Sequence, residues 1–104
     1  MFTISKNAAE EIRRSADAGN MDGMPLRVAA AKNADGSIRY AIGFDETREG
    51  DTLIVSEGID ILLDEVAKGL LNGARMDFVE MEPGKYHFIF LNPNDPNYVE
   101  PREN

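Results

Sequence analysis

The chain has no cysteine among its 104 residues. This excludes disulfides, thiolate nucleophiles, thiolate zinc sites and cysteine-ligated clusters within the chain. Histidine is nearly absent too: His87 stands alone, in the run KYHFIFL. A general base needs an orienting partner and a nucleophile beside it, and none is signalled around His87, which reads as a half-exposed sheet residue. Basic residues are few, 11 against 19 acids, for a formal net charge of -8. That field repels phosphate backbones and anionic lipid, so nucleic acid and membrane surfaces are poor partners, and it also keeps a protein in solution. No stretch approaches the roughly 20 apolar residues that span a bilayer. The opening MFTISKNAAEEIRRSA acquires glutamates early and does not read as a signal peptide, so a cytoplasmic protein is expected.

Catalytic patterns are missing as well. The glycines form neither GxGxxG nor a phosphate loop. Ser5, Ser15, Ser37 and Ser56 lie in no nucleophile-elbow context. Asp45 and Glu46 are adjacent, and neighbours on a strand point to opposite faces, so they do not converge as an acid pair. Asp95 and Glu100 are hard-cation donors without a DxDxDG frame. No enzyme, cofactor or metal site is expected from these residues.

What is present suits one globular domain, with 42% hydrophobic and 8% aromatic residues. Ser5 caps a helix from Lys6, with Ile4 and Ala9 placed as a hydrophobic staple. Ala8, Ala9, Ile12 and Ala16 recur at helical spacing, and Gly19-Asn20 closes the helix. The period then changes to two. Leu26, Val28 and Ala30 share one face of a strand, and Ile38, Tyr40, Ile42 and Phe44 share one face of the next. Asp35-Gly36 between them predicts a hairpin with a bulged or widened turn. FDETREGD reads as a loop, TLIVS and GIDILL as strands about Glu57-Gly58, and RMDFVEM and KYHFIFL as strands about Pro83-Gly84. EVAKGLL is a short helix capped by Asp64 and held by packing of Val66, Leu70 and Leu71, since Gly69 weakens it by ~1 kcal/mol. Residues from 92 onward hold three prolines and almost nothing to bury. The expected organisation is one α+β domain over 1–94, mostly antiparallel or mixed sheet with one long N-terminal helix and one short helix, and a flexible tail over 95–104.

The order of these elements, with several local strings, resembles the HesB/IscA family of A-type iron–sulfur carriers. ISKNAAEEI is similar to the family's opening helix, and LRVAAA to its first long strand. Tyr40 to Phe44 matches the strand after its first ligand loop. GIDILLD, MDFVE and FIFLNPN match its later segments, the last two most recognisably. No single string is strong, and their order over residues 3 to 94 carries the match.

The resemblance implies that the loop KNADGS stands where the family carries a cysteine that ligates the cluster, with Asp35 at that position. The family's two other cysteines follow NPN as a CxC pair, where this chain has Val99 and Pro101. With no thiolate left, the inherited fold is expected to have lost iron and cluster binding. The absence of cysteine resembles the DsrR-type branch found with dissimilatory sulfur oxidation. That resemblance implies a non-catalytic accessory or regulatory protein, monomeric, acting on an unidentified protein or RNA partner. Lys32, Asn33 and Asp35 are the candidate contact residues. The alternative is an iron or cluster carrier with oxygen ligands from Asp35, Asp95 and Glu100.

Overall fold

The computed structural model describes residues 1–97. Nine elements follow in order: β1 (Thr3–Ile4), α1 (Lys6–Ala18), β2 (Leu26–Lys32), β3 (Ile38–Phe44), β4 (Thr52–Ser56), β5 (Ile59–Leu63), α2 (Glu65–Leu70), β6 (Arg75–Glu82) and β7 (Lys85–Leu91). The α+β class, the long N-terminal helix and the short second helix agree with the sequence pattern. The strands divide into two sheets, ordered β1-β6-β7 and β3-β2-β5-β4. Both are mixed, because β1 runs parallel to β6 and β2 parallel to β5. β1 has no sequence signature. It is two residues long and is fixed by its neighbours, with the Thr3 N–H donating to the Ala74 carbonyl at 3.1 Å and the Ser5 N–H to Met76 at 3.0 Å.

Ser5 caps α1 by accepting from the Ala8 N–H at 3.1 Å while its own hydroxyl donates to Asp77. The same short side chain thus ends β1, starts α1 and ties both to β6. Ala8, Ala9, Ile12 and Ala16 are the buried face of α1, as their spacing predicts. At the C-terminus Asn20 takes the left-handed conformation (φ 56°), and Gly19 keeps a negative φ. The β4–β5 turn places Glu57 and Gly58 both at positive φ, and the Arg13 side chain of α1 donates to the Glu57 carbonyl. A direct tie between the sheets is the Ile4 N–H, which donates to Ser56 Oγ at 3.0 Å.

The core draws on both helices and both sheets. Ile4, Ala9, Ile12, Val28, Ile61, Leu71 and Met76 belong to one buried cluster, with Tyr40, Phe78, Phe88 and Phe90 packed on its margin. α2 departs from expectation. Val66 is 59% exposed, while Leu71 is fully buried and Leu70 packs on the margin of the core as expected, and Ala67, also fully buried, takes the place given to Val66. Helical spacing permits either stripe, and the short Ala67 lets α2 lie close on β2. His87 is exposed on β7, wetter than expected. No described helix is long and apolar enough to cross a membrane.

Candidate functional site

The loop 33–37 joins β2 to β3, whose register runs from Leu26 opposite Phe44 to Lys32 opposite Ile38. Lys32 is exposed at the end of β2. Asn33 closes the loop by donating its backbone N–H to the Ser37 carbonyl at 2.7 Å and its side-chain amide to Ser37 Oγ at 2.9 Å. Its amide oxygen accepts from Arg39 at 2.9 Å. Asp35 Oδ1 accepts from the Ser37 N–H at 3.0 Å and from Ser37 Oγ at 2.6 Å, an Asx turn. These bonds, the hydroxyl first, hold the Asp35 carboxyl below its ordinary range. Gly36 supplies the positive φ of 88° that the reversal needs. The widened turn expected from Asp35-Gly36 is therefore present, and its polar groups are largely engaged with one another.

Beyond β7 the chain does not fall away into solvent at residue 92. Asn92 is 1% exposed. Its amide donates to the Leu70 carbonyl at 2.9 Å and to Tyr40 Oη at 3.2 Å, and its oxygen accepts from the Asn94 N–H at 3.0 Å. Asn94 donates to the Leu70 and Asn72 carbonyls at 3.0 and 2.8 Å, which satisfies the open C-terminal end of α2. Asp95 accepts from Tyr40 Oη at 3.0 Å and from the Asn97 N–H at 3.0 Å. The expectation of almost nothing buried from residue 92 fails at Asn92 itself and holds for Pro93, Asn94, Pro96 and Asn97, which are exposed. Hydrogen bonds, which hydropathy does not register, dock the segment. Val99, Glu100 and Pro101 lie outside the described residues.

Tyr40 joins the two parts. Its ring stacks on Phe90 with centroids 4.0 Å apart and planes 3° from parallel. Its hydroxyl lies between Asn92 and Asp95, and burial, first of several causes, raises its pKa. The strand after the 33–37 loop is thereby fastened to the segment 92–97. Asp35 and Asp95 each spend carboxylate oxygens on protein donors. Among the described residues, no group of three His, Asp or Glu side chains is placed to hold a metal ion.

A second polar cluster escaped notice in the sequence. Arg27 on β2 reaches Asp45 at 2.7 Å and Asp51 at 2.6 Å, with side-chain exposures of 15% for Arg27 and 3% for Asp51. Asp45 also pairs with Arg48 at 2.9 Å. Asp45 and Glu46 lie just past β3, and Asp45 turns back to Arg27. This ion pair, and not strand alternation, sets the direction of the Asp45 carboxylate. The guanidinium holds Asp51 down at about 2 and Asp45 below its usual range. This cluster fixes the loop 45–51 against the sheet. Its signal in the sequence is a lone arginine in an otherwise apolar run, LRVAAA, followed by a loop bracketed by aspartates.

No family model matches the chain. Individual relatives do. An iron–sulfur cluster insertion protein ErpA of Halorhodospira halophila is 36% identical over 95 residues, covering 90% of this chain and 76% of the relative. A protein of Aquifex aeolicus is 32% identical over 95 residues, covering 90% and 81%. Among solved structures, that of IscA with its [2Fe-2S] cluster superposes with a TM-score of 0.74 at 29% identity, covering 89% of this chain and 86% of IscA. The order of elements read from the sequence and these similarities agree: the chain belongs to the HesB/IscA family, which includes the iron–sulfur cluster insertion proteins named ErpA.

Proposed function

We propose that this chain is a non-catalytic accessory protein of iron–sulfur or sulfur metabolism that keeps the A-type scaffold and works by binding a partner, without ligating a cluster. One observation carries the reading: the family scaffold is present, and the whole chain has no cysteine. Clusters are held by thiolates, and carboxylates are poor substitutes for soft iron–sulfide chemistry. A place in stored-sulfur oxidation is the narrower form of the reading and rests on the resemblance to the DsrR-type branch. Lys32, Asn33 and Asp35 are the proposed contact residues on the former ligand loop, and the protein is proposed to be monomeric and cytoplasmic.

A second reading is favoured by the names of the relatives, which are iron–sulfur cluster insertion proteins. On it, the chain carries iron or a cluster through Asp35, Asp95 and Glu100. Against it stand the Asp35 oxygen held by Ser37 and the Asp95 oxygens held by Tyr40 and Asn97. Anaerobic reconstitution of the full chain with iron and sulfide, followed by desalting, separates the two. The accessory reading expects colourless, iron-free protein. A stable visible band with stoichiometric iron overturns it in favour of the carrier.

A further inference from the structure

α1 faces the β6–β7 hairpin across a groove of about 520 Å³, lined by Asn7, Glu10, Glu11, Arg14, Phe78 and Tyr86. It shares no residue with the 33–37 loop or the 92–97 segment. Asn7, Glu10, Glu11 and Arg14 recur at helical spacing and form a second stripe on α1, beside its buried one. Across from them the rings of Phe78 and Tyr86 stack with centroids 5.6 Å apart and planes 21° from parallel. Tyr86 is 54% exposed although its ring has an aromatic partner. Glu80 pairs directly with Tyr86 in the β6–β7 register, so it stands on the same face. One of its oxygens accepts from the Gly84 N–H at 3.0 Å. Among the described residues, the one cation lining the groove, Arg14, is engaged with Glu11. Glu10 and Glu80 have no ion-pair partner among the described residues.

Ring faces and carboxylates favour the same ligand. The face of an aromatic ring is negative, and a planar guanidinium can lie on it while its N–H groups reach a carboxylate. An anionic partner would meet both these acids and a chain of net charge -8. We propose that this groove binds arginine side chains of a basic segment on a partner protein, with Phe78 and Tyr86 as the stacking surface, Glu10 as the carboxylate lining the groove, and Glu80, outside the lining but on the same sheet face, adding negative charge beside it. Because the groove is separate from the former ligand loop, iron reconstitution and arginine binding succeed or fail independently.

The test is an NMR titration of the ¹⁵N-labelled full chain with the capped peptide Gly-Arg-Gly-Arg-Gly, at about 0.15 M salt to screen general attraction. Saturable shifts should concentrate at Asn7, Glu10, Phe78 and Tyr86. Tyr86→Ala should weaken binding about three- to five-fold. Glu10→Gln should weaken it about two-fold, while Asp60→Asn, the same charge change on β5 outside the groove, leaves it unchanged. A lysine version of the peptide should bind less well. Absence of saturable binding, shifts spread over the acidic surface, equal effects of Glu10→Gln and Asp60→Asn, or undiminished binding by Tyr86→Ala would each overturn the proposal. So would a short single-stranded RNA that shifts the same groove residues.

Discussion

Asn92→Ala is the substitution that most directly probes how the chain beyond β7 is held. The wild-type side chain makes three hydrogen bonds, to the Leu70 carbonyl, Tyr40 Oη and the Asn94 N–H, from a site 1% exposed. Each such bond is worth about 1 kcal/mol net, and a buried group left without its partner costs about 1–3 kcal/mol. Leu70 keeps one donor, from Asn94, only if residue 94 stays in place. A loss of about 2–4 kcal/mol follows, a large share of a typical ~5–15 kcal/mol total. At roughly 4–8 °C per kcal/mol for a domain near this size, the melting temperature should fall by about 8–32 °C. Circular dichroism during heating and in urea measures it, with an unchanged urea slope showing that the unfolded state is the same. Asn92→Asp adds a sign. It replaces both donated bonds by a buried carboxylate facing a carbonyl, so its folded-state pKa is raised. Its deficit against wild type should shrink as the pH falls toward about 4, where protonation restores a donor. A change of less than about 0.5 kcal/mol for Asn92→Ala, or an Asn92→Asp deficit indifferent to pH, would show that the segment is not docked through this side chain.

Further predictions concern the rest of the molecule. Tyr40→Phe keeps the stack on Phe90 and loses the hydroxyl between Asn92 and Asp95, so it should cost about 1 kcal/mol and be non-additive with Asn92→Ala in a double-mutant cycle. Phe90→Ala, which removes a ring stacked on Tyr40 and near Phe2, should cost about 3 kcal/mol or more by urea denaturation. Asp51 titrates at about 2 when folded, below its ordinary value, so its contribution is present above about pH 4 and lost as the pH falls from there toward 2. Asp51→Asn should remove that part of the acid dependence, and an unaltered acid limb would count against the Arg27 pairing. Asp35→Ala should move the melting temperature by only a few degrees, since the turn is exposed. Loss of function in cells with a normal melting temperature would favour the loop as a contact surface. Light scattering at micromolar concentration should give a monomer mass, and a dimer would refute the monomeric reading.

Periodicity made most of the architecture legible. The helical stripe Ala8, Ala9, Ile12, Ala16 and the alternation in LRVAAA and IRYAIGF are properties of local geometry, and each falls where the pattern put it. What stayed hidden depends on pairs distant in sequence. β1 is a strand only because the Ala74 and Met76 carbonyls accept the N–H groups of Thr3 and of Ser5 just past it. Ala67, not Val66, is inside because α2 approaches β2 from that side, and the short run EVAKGLL does not choose between them. Arg27, Asp45 and Asp51 are far apart along the chain and meet only once the sheet has formed. The proline- and asparagine-rich 92–97 segment lacks apolar residues, and its order comes from amide groups that satisfy carbonyls at the end of α2.

The candidate site was legible as a position and not as an arrangement. Alignment of LRVAAA with Tyr40 places Asp35 in the loop, and the structure shows what that residue does there. Its carboxylate accepts two bonds from Ser37 and stabilises the turn. A cysteine at this position would offer a softer, weaker acceptor, so Asp35→Cys should loosen the loop at the same time as it supplies one thiolate. One thiolate leaves a cluster short of its ligand set. Reconstituted Asp35→Cys protein should therefore lose its iron on desalting, as the wild type should, and titrate as an accessible free thiol. A stable cluster in this single variant would mean that other side chains already complete a ligand shell, and the accessory reading of the scaffold would fail.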